Sequence, residues 1–224
     1  MKKILKGLVV FSFVSIFSLS AHAVQVNWTD WTVETSSSSA IGELVVGTTT
    51  VAVTYTNTAP HAFVQTGAGT NYWTGSAYTN GTVNNAPPAA EQIALSAGGL
   101  VTISFSETIV NPYIAMNSWN GNVVDFGVPI IIDSFGSGFW GSGTATLNGT
   151  GTGFTGNGEF HGVISLIGSF DSISFTNTSE GWHGFTIGVA GLADNNGGDI
   201  PEPAPLALLG LGLLGLAFMR KRRR

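Results

Sequence analysis

At 224 residues the chain has room for one sizeable domain with appendages, and 31 glycines with only 9% charged residues fit a β-rich exported protein. It is 11% aromatic, unlike a disordered tail, and it has no cysteine, which removes disulfides and thiol chemistry. The eight Lys and Arg are confined to residues 2–6 and 220–224, so the span 7–219 cannot neutralise phosphate, and nucleic-acid binding is argued against. All thirteen acids lie between Asp30 and Glu202, so stability there must come from burial and backbone hydrogen bonds rather than Lys or Arg ion pairs.

The first segment, "MKKILKGLVVFSFVSIFSLSAHA", has a cationic start, an apolar run Gly7–Leu19 and the small-x-small triplet Ala21-His22-Ala23. That is the layout of a secretory signal peptide, and it predicts cleavage after Ala23 by signal peptidase. The apolar run is short for a membrane span, and no stop pattern follows it. Residues 1–23 are therefore read as an export address.

Residues 24–193 carry strand-like periodicity. Val51, Val53 and Tyr55 share one face of "TTVAVTYT"; Val101, Ile103 and Phe105 do so in "LVTISFSE"; Ile173 and Phe175 in "SISFT"; Phe185, Ile187 and Val189 in "FTIGV". Further runs lie at Val26–Trp31, Tyr113–Asn117, Ile130–Phe135 and Val163–Ile167, with loops at Ser36–Ser39 and Thr66–Pro88. No long stretch shows the helical period. Short strands broken by Gly, Asn and Pro predict an all-β domain, an antiparallel β-sandwich or jelly roll.

Within this body "GSGFWG" spells G-x-G-x-x-G through Gly136, Gly138 and Gly141. A dinucleotide fingerprint must open a helix, whereas "SGTATLNGTGTGFTGNG" follows, so these glycines are read as turns, like a second match at Gly151, Gly153 and Gly156. No motif of a metalloprotease, serine hydrolase or P-loop is present. Glu159 and His161, two apart on an expected strand, could join Glu180 or His183 in a metal or acid–base site, against a plain hydrogen-bonded surface pair. Glu159 and Asp171 are the candidate carboxylates for glycoside cleavage. The aromatic residues give another hypothesis: Tyr72, Trp73, Trp119 and Trp140 lie in or beside polar turns, where flat rings can stack on sugars. Trp28, Trp31 and Trp182 are read as core.

Residues 194–200 read as a linker, and Asp194 and Asp199 could bind Ca²⁺ or be solvated linker acids. Next come Pro201-Glu202-Pro203, kept extended by the two prolines and so suited to a protease that grips a strand. Ala204–Met219 is sixteen residues with seven leucines and no charge. As a helix it would reach about 24 Å against ~30 Å of hydrocarbon, a marginal span. Arg220, Lys221, Arg222, Arg223 and Arg224 would stay on the cytoplasmic side, and five cations have no place in a core.

In this order the three parts of residues 201–224 resemble the PEP-CTERM sorting signal of exported proteins in Gram-negative bacteria. The resemblance implies recognition by exosortase, an integral-membrane enzyme with a cysteine nucleophile. It also implies transient inner-membrane anchoring, cleavage near the Pro-Glu-Pro motif, and delivery to the cell surface or an exopolysaccharide matrix. The stretches "NPYIAMNSWNG", "PIIIDSFGSGFWG" and "GEFHGVISLIGSFDSISFTNTSEGWHGFTIGV" are similar to a domain recurring in PEP-CTERM proteins, which implies a β-sandwich and transfers no catalytic residues. The expected function is that of a non-catalytic matrix or glycan-binding protein. The alternatives are a secreted polysaccharide-degrading enzyme and a purely structural matrix protein.

Replacing Pro201, Glu202 and Pro203 with Ala is expected to hold the protein in the inner-membrane fraction as a longer species. Fractionation with intact mass measurement checks this, and an unchanged mature mass and location would refute it.

Overall fold

Sixteen strands and no helix make up residues 23–192, the part of the chain that the computed structural model describes. Ala21, Asp194, Asp199, the linker, the Pro-Glu-Pro motif, the hydrophobic stretch and the basic tail lie outside the described residues. In chain order the first strands are β1 (Asn27–Trp28), β2 (Asp30–Ser36), β3 (Ser39–Val46), β4 (Thr49–Asn57), β5 (His61–Thr66) and β6 (Glu91–Leu95). The middle supplies β7 (Gly99–Val110), β8 (Tyr113–Asn117), β9 (Val123–Asp125), β10 (Ile130–Phe135) and β11 (Ser137–Gly138). The last are β12 (Gly141–Leu147), β13 (Gly153–Gly158), β14 (Gly162–Leu166), β15 (Ser169–Asn177) and β16 (His183–Val189).

These strands form two antiparallel sheets packed as a β-sandwich. One has the order β11-β12-β13-β9-β15-β7-β4-β3-β2; the other has β10-β14-β8-β16-β6-β5, with β1 also pairing β16. In the nine-stranded sheet the expected alternation holds. Val51, Val53 and Tyr55 of β4 and Ile173 and Phe175 of β15 are buried, while the polar residues between them are exposed. Phe185 of β16 meets Phe175 edge-on at 5.4 Å and Tyr55 at 6.0 Å, so aromatic contacts join the sheets at the centre of the core.

The seven-stranded sheet differs. Strands β6, β14 and β16 are buried at every position, although "FTIGV" reads from sequence as half solvent-facing. The cause is the long segment between β5 and β6, which lies over the outer face of this sheet. Trp73, Ala77, Tyr78 and Val83 from that segment form a second apolar cluster with Val26, Trp28, Ala115 and Val163. Gly188 is where the chain needs no side chain: a Cβ there would stand 2.6 Å from Val26 Cγ1 and 2.8 Å from the Trp28 ring.

The expected run Val26–Trp31 is two strands, because the chain changes sheets at Thr29. Thr29 N and Oγ1 both donate to the Ile187 carbonyl, at 2.9 and 2.7 Å, so the crossing leaves no backbone donor unpaired there. Trp31, the second residue of β2, donates its N–H to Glu91 Oε2 at 2.7 Å and its Nε1 to Thr186 Oγ1 at 3.1 Å. Glu91 is 4% exposed. Burial pushes its carboxyl up to about 7; the Trp31 N–H opposes that rise, and Asp30 adds to it.

A folded-state value near 7, above the ordinary 4.5, means that the folded chain holds this proton more tightly than the unfolded chain does. The contribution of Glu91 to stability is thus complete below pH 4.5 and is lost as the pH rises through about 7. Glu91→Gln should flatten the fall in unfolding free energy over that window. Urea titrations of both proteins from pH 4 to 8 check this, and parallel slopes would refute it.

Candidate functional site

Five aromatic side chains meet at the surface where the covering segment, the β11–β12 turn and the start of β16 adjoin. Tyr72 is the hub, with ring centroids 5.0 Å from Phe139 and Trp182, 6.2 Å from Phe63, and 6.5 Å from Trp140. Its ring and that of Trp140 are nearly parallel, at 22°. Trp140 also lies 4.9 Å from Phe139 and 6.1 Å from Trp182, and Trp182 lies 5.4 Å from Phe63. Trp140 is 50% exposed and Phe139 41%; Phe63, Tyr72 and Trp182 are half-buried. Exposed rings in contact of this kind mark a binding surface more often than stray surface residues do.

Local sequence accounts for each placement. The glycines of "GSGFWG" form a β-hairpin: β11 and β12 pair through Gly138 and Gly141, leaving Phe139 and Trp140 at the turn. Gly141 has a φ of +122°, which a side chain would rarely adopt. Gly138 lies directly over the His161 ring, so only a glycine lets the hairpin approach the sheet this closely. Trp182 shares strand parity with Gly184, on the face opposite the core-facing His183 and Phe185.

Of the four rings expected to face solvent, Tyr72 and Trp140 belong to this cluster, while Trp73 and Trp119 are interior. Trp73 is 3% exposed and its Nε1 donates to the Glu91 carbonyl at 3.2 Å. Trp119 is fully buried, its Nε1 donating to the Gly184 carbonyl at 2.7 Å. Each therefore anchors a loop and presents no free face. Phe63, Phe139 and Trp182 are the members that sequence reasoning left out. For Phe139 a signal was present, since it precedes Trp140 between the same turn glycines; for Phe63 only the tertiary fold reveals the contact.

The polar residues group beside the rings. Glu159 and His161 lie in the connection between β13 and β14, not on a strand as expected. Glu159 accepts from Ser118 Oγ at 2.6 Å and from Asn120 Nδ2 at 3.1 Å. Glu180 accepts from Asn120 N at 3.1 Å and Asn122 Nδ2 at 3.4 Å, with His183 Nδ1 at 3.3 Å. His161 Nδ1 accepts from Ser118 N at 3.3 Å and meets the Tyr78 hydroxyl at 3.2 Å. Burial lowers the His161 pKa, against the opposing pull of Glu159, so the ring is neutral. Asp171, the other candidate acid, accepts from Thr108 near the opposite end of β15. Six strand residues, about 20 Å, separate it from Asn177, beside which Asn122 and Glu180 gather. No group of three or more His, Asp or Glu among the described residues is placed to hold a metal ion.

Residues 199–224 match the family model described as the PEP-CTERM protein-sorting motif. The chain carries this signal, and with it the assignment of an exported protein processed at the membrane by exosortase. No curated protein and no solved structure matches the chain.

Core and surface rings should separate cleanly in stability. Trp119→Ala is expected to cost about 3–5 kcal/mol, and Trp140→Ala to stay within about 0.5 kcal/mol of the parent. Denaturant melts of the two variants measure both, and a Trp140→Ala loss as large as that of Trp119→Ala would show the ring to be structural.

Proposed function

We propose that this exported exosortase substrate is a non-catalytic glycan-binding protein of the cell surface or extracellular polysaccharide matrix, with the Phe63–Tyr72–Phe139–Trp140–Trp182 cluster as its contact surface. The observation that carries the reading is the near-parallel Tyr72–Trp140 pair, half-buried Tyr72 at its hub and exposed Trp140 at its surface, within a connected cluster of five rings. Ring faces of this kind offer a broad apolar contact that costs little conformational entropy, because two torsions fix each side chain. The apolar face of a sugar ring suits them, and its hydroxyls can stay hydrated at the rim. The rings are held from below by a hairpin and a strand, so the surface is in place before any ligand arrives.

A non-catalytic role is supported by the placing of the two candidate acids: Asp171 accepts from Thr108 near one end of β15, while Glu159 shares Asn120 with Glu180, which gathers with Asn122 beside the other end. A glycosidase pair sits across one scissile bond, roughly 5–9.5 Å apart. Glu159 is instead committed to Ser118 and Asn120. The sorting signal fits this reading, because a protein exported and processed at the membrane can meet polysaccharide outside the cytoplasm.

Mature protein mixed with matrix polysaccharide from a producing strain should co-sediment, and Trp140→Ala should weaken this at least tenfold. Sedimentation over a range of polysaccharide concentrations checks the reading; equal co-sedimentation of the variant, or none by the parent, would overturn it.

A further inference from the structure

The ring cluster is set in surroundings with an unusual charge pattern. Among the described residues there are ten Asp and Glu and not one Lys or Arg. Glu180 lies two residues before Trp182, and Glu159 two residues before His161, over whose ring Gly138 of the Phe139–Trp140 hairpin packs. The oxygens of both carboxylates are already occupied by Ser118, Asn120, Asn122 and His183. The nearby histidines cannot serve as exposed cations, since His161 and His183 are fully buried.

The buried polar atoms of the neighbouring strands are uncharged as well. Asn117 pairs across the sheet with Gly184, two residues from Trp182, and a Cβ on Gly184 would lie 2.6 Å from Asn117 Oδ1 and 2.9 Å from Gln92 Oε1. Asn117 Nδ2 donates to Gln92 Oε1 at 2.8 Å, leaving Asn117 Oδ1 and Gln92 Nε2 buried without a partner. His161 Nε2, under Gly138 and the Phe139–Trp140 turn, is likewise buried without one. The unpaired buried groups of these elements, an amide oxygen, an amide NH₂ and an imidazole N–H, are thus all neutral. Sealed from solvent, these atoms bond no surface ligand, and being neutral they supply no charge to compensate an anion.

We propose that the cluster selects uncharged polysaccharide chains and rejects those bearing uronate, sulfate or phosphate, an inference that rests on the glycan-binding reading above. Two terms act together. The face of an aromatic ring is the negative part of its quadrupole, which favours the C–H face of a neutral sugar and repels an anionic substituent. An anion docked here would also lose water without gaining a cation, because the ten Asp and Glu of the described residues have no Lys or Arg beside them. A neutral chain pays neither cost. Its binding should accordingly be insensitive to salt.

The test is affinity electrophoresis of the mature protein in gels containing a neutral polysaccharide (hydroxyethyl cellulose, galactomannan or arabinose-free xylan) or polygalacturonate. EDTA is present throughout, so that no divalent ion bridges two carboxylates. The expected result is retardation by at least one neutral polymer, unchanged from 20 to 300 mM NaCl and lost in Trp140→Ala, with at least tenfold weaker retardation by polygalacturonate. Trp140-dependent retardation by polygalacturonate as strong as that by any neutral polymer would overturn this selectivity while leaving glycan binding intact. Retardation by none of the polymers, or retardation that survives Trp140→Ala, would overturn the glycan-binding reading itself. Near-UV circular dichroism confirms that Trp140→Ala is folded before it is scored.

Discussion

The architecture depends on covering the outer face of the seven-stranded sheet. A sheet that packs its inner face on a partner normally leaves the other to water, and its strands alternate accordingly. Here the segment between β5 and β6 lies on that outer face and carries its own apolar cluster, so β6, β14 and β16 are buried on both sides. Trp73 pins the segment to the Glu91 carbonyl, and the Glu91 side chain receives the first N–H of the crossing into the second sheet. One residue at the start of β6 therefore secures both the cover and the passage between sheets. The ring cluster forms at the rim of this cover, where Tyr72 leaves it.

The described residues do this without Lys or Arg, and their buried polar groups show how. Glu91 relies on backbone N–H donors and a raised pKa. Asp133 is also pushed up by burial, partly offset by hydrogen bonds from Ser165 and Thr82. Histidine–carboxylate pairs take the place of ordinary ion pairs: His61 meets Glu34 at 2.9 Å, between the edge strands β5 and β2 of the two sheets. Side-chain amides supply most other polar ties, as where Asn85 both accepts from and donates to the backbone of Val26. Such contacts are modest singly, and burial of apolar surface carries the larger share of stability.

Much of the fold was legible because period-2 alternation is a local signal. It placed the inward faces of β4 and β15 correctly, and the turn glycines of "GSGFWG" were read as turns. What sequence could not show was a third layer. Thr186 and Gly188 read as solvent-facing because nothing local announces that Trp28 and Trp31 will cover them. The same gap misplaced Trp73: a polar, Gly-rich neighbourhood suggested exposure, but the ring turns inward. Trp119 was misread for a related reason, since its Asn-Gly turn is at the surface while its side chain enters the core. Trp140 sits in a similar turn and does face out. Only the hairpin geometry separates the two. The sorting signal was easier, because its information lies in the order of three chemically distinct parts and needs no tertiary contact.

The position of β16 has a consequence for how the protein leaves the cell. This strand lies between β8 and β6, mid-sheet, and it also carries β1 from the other end of the chain. It is nevertheless the last strand of the domain to be threaded through a translocon. The sheet therefore has a gap at its centre until residues 183–189 have crossed, and non-local pairing of this kind is slow. Only eleven residues separate Val189 from Pro201, so the middle of the fold is completed just ahead of the sorting signal. Processing at the membrane through the C-terminal signal thus follows directly on the closing of the sheet, and so on the interval in which an open sheet is most apt to aggregate.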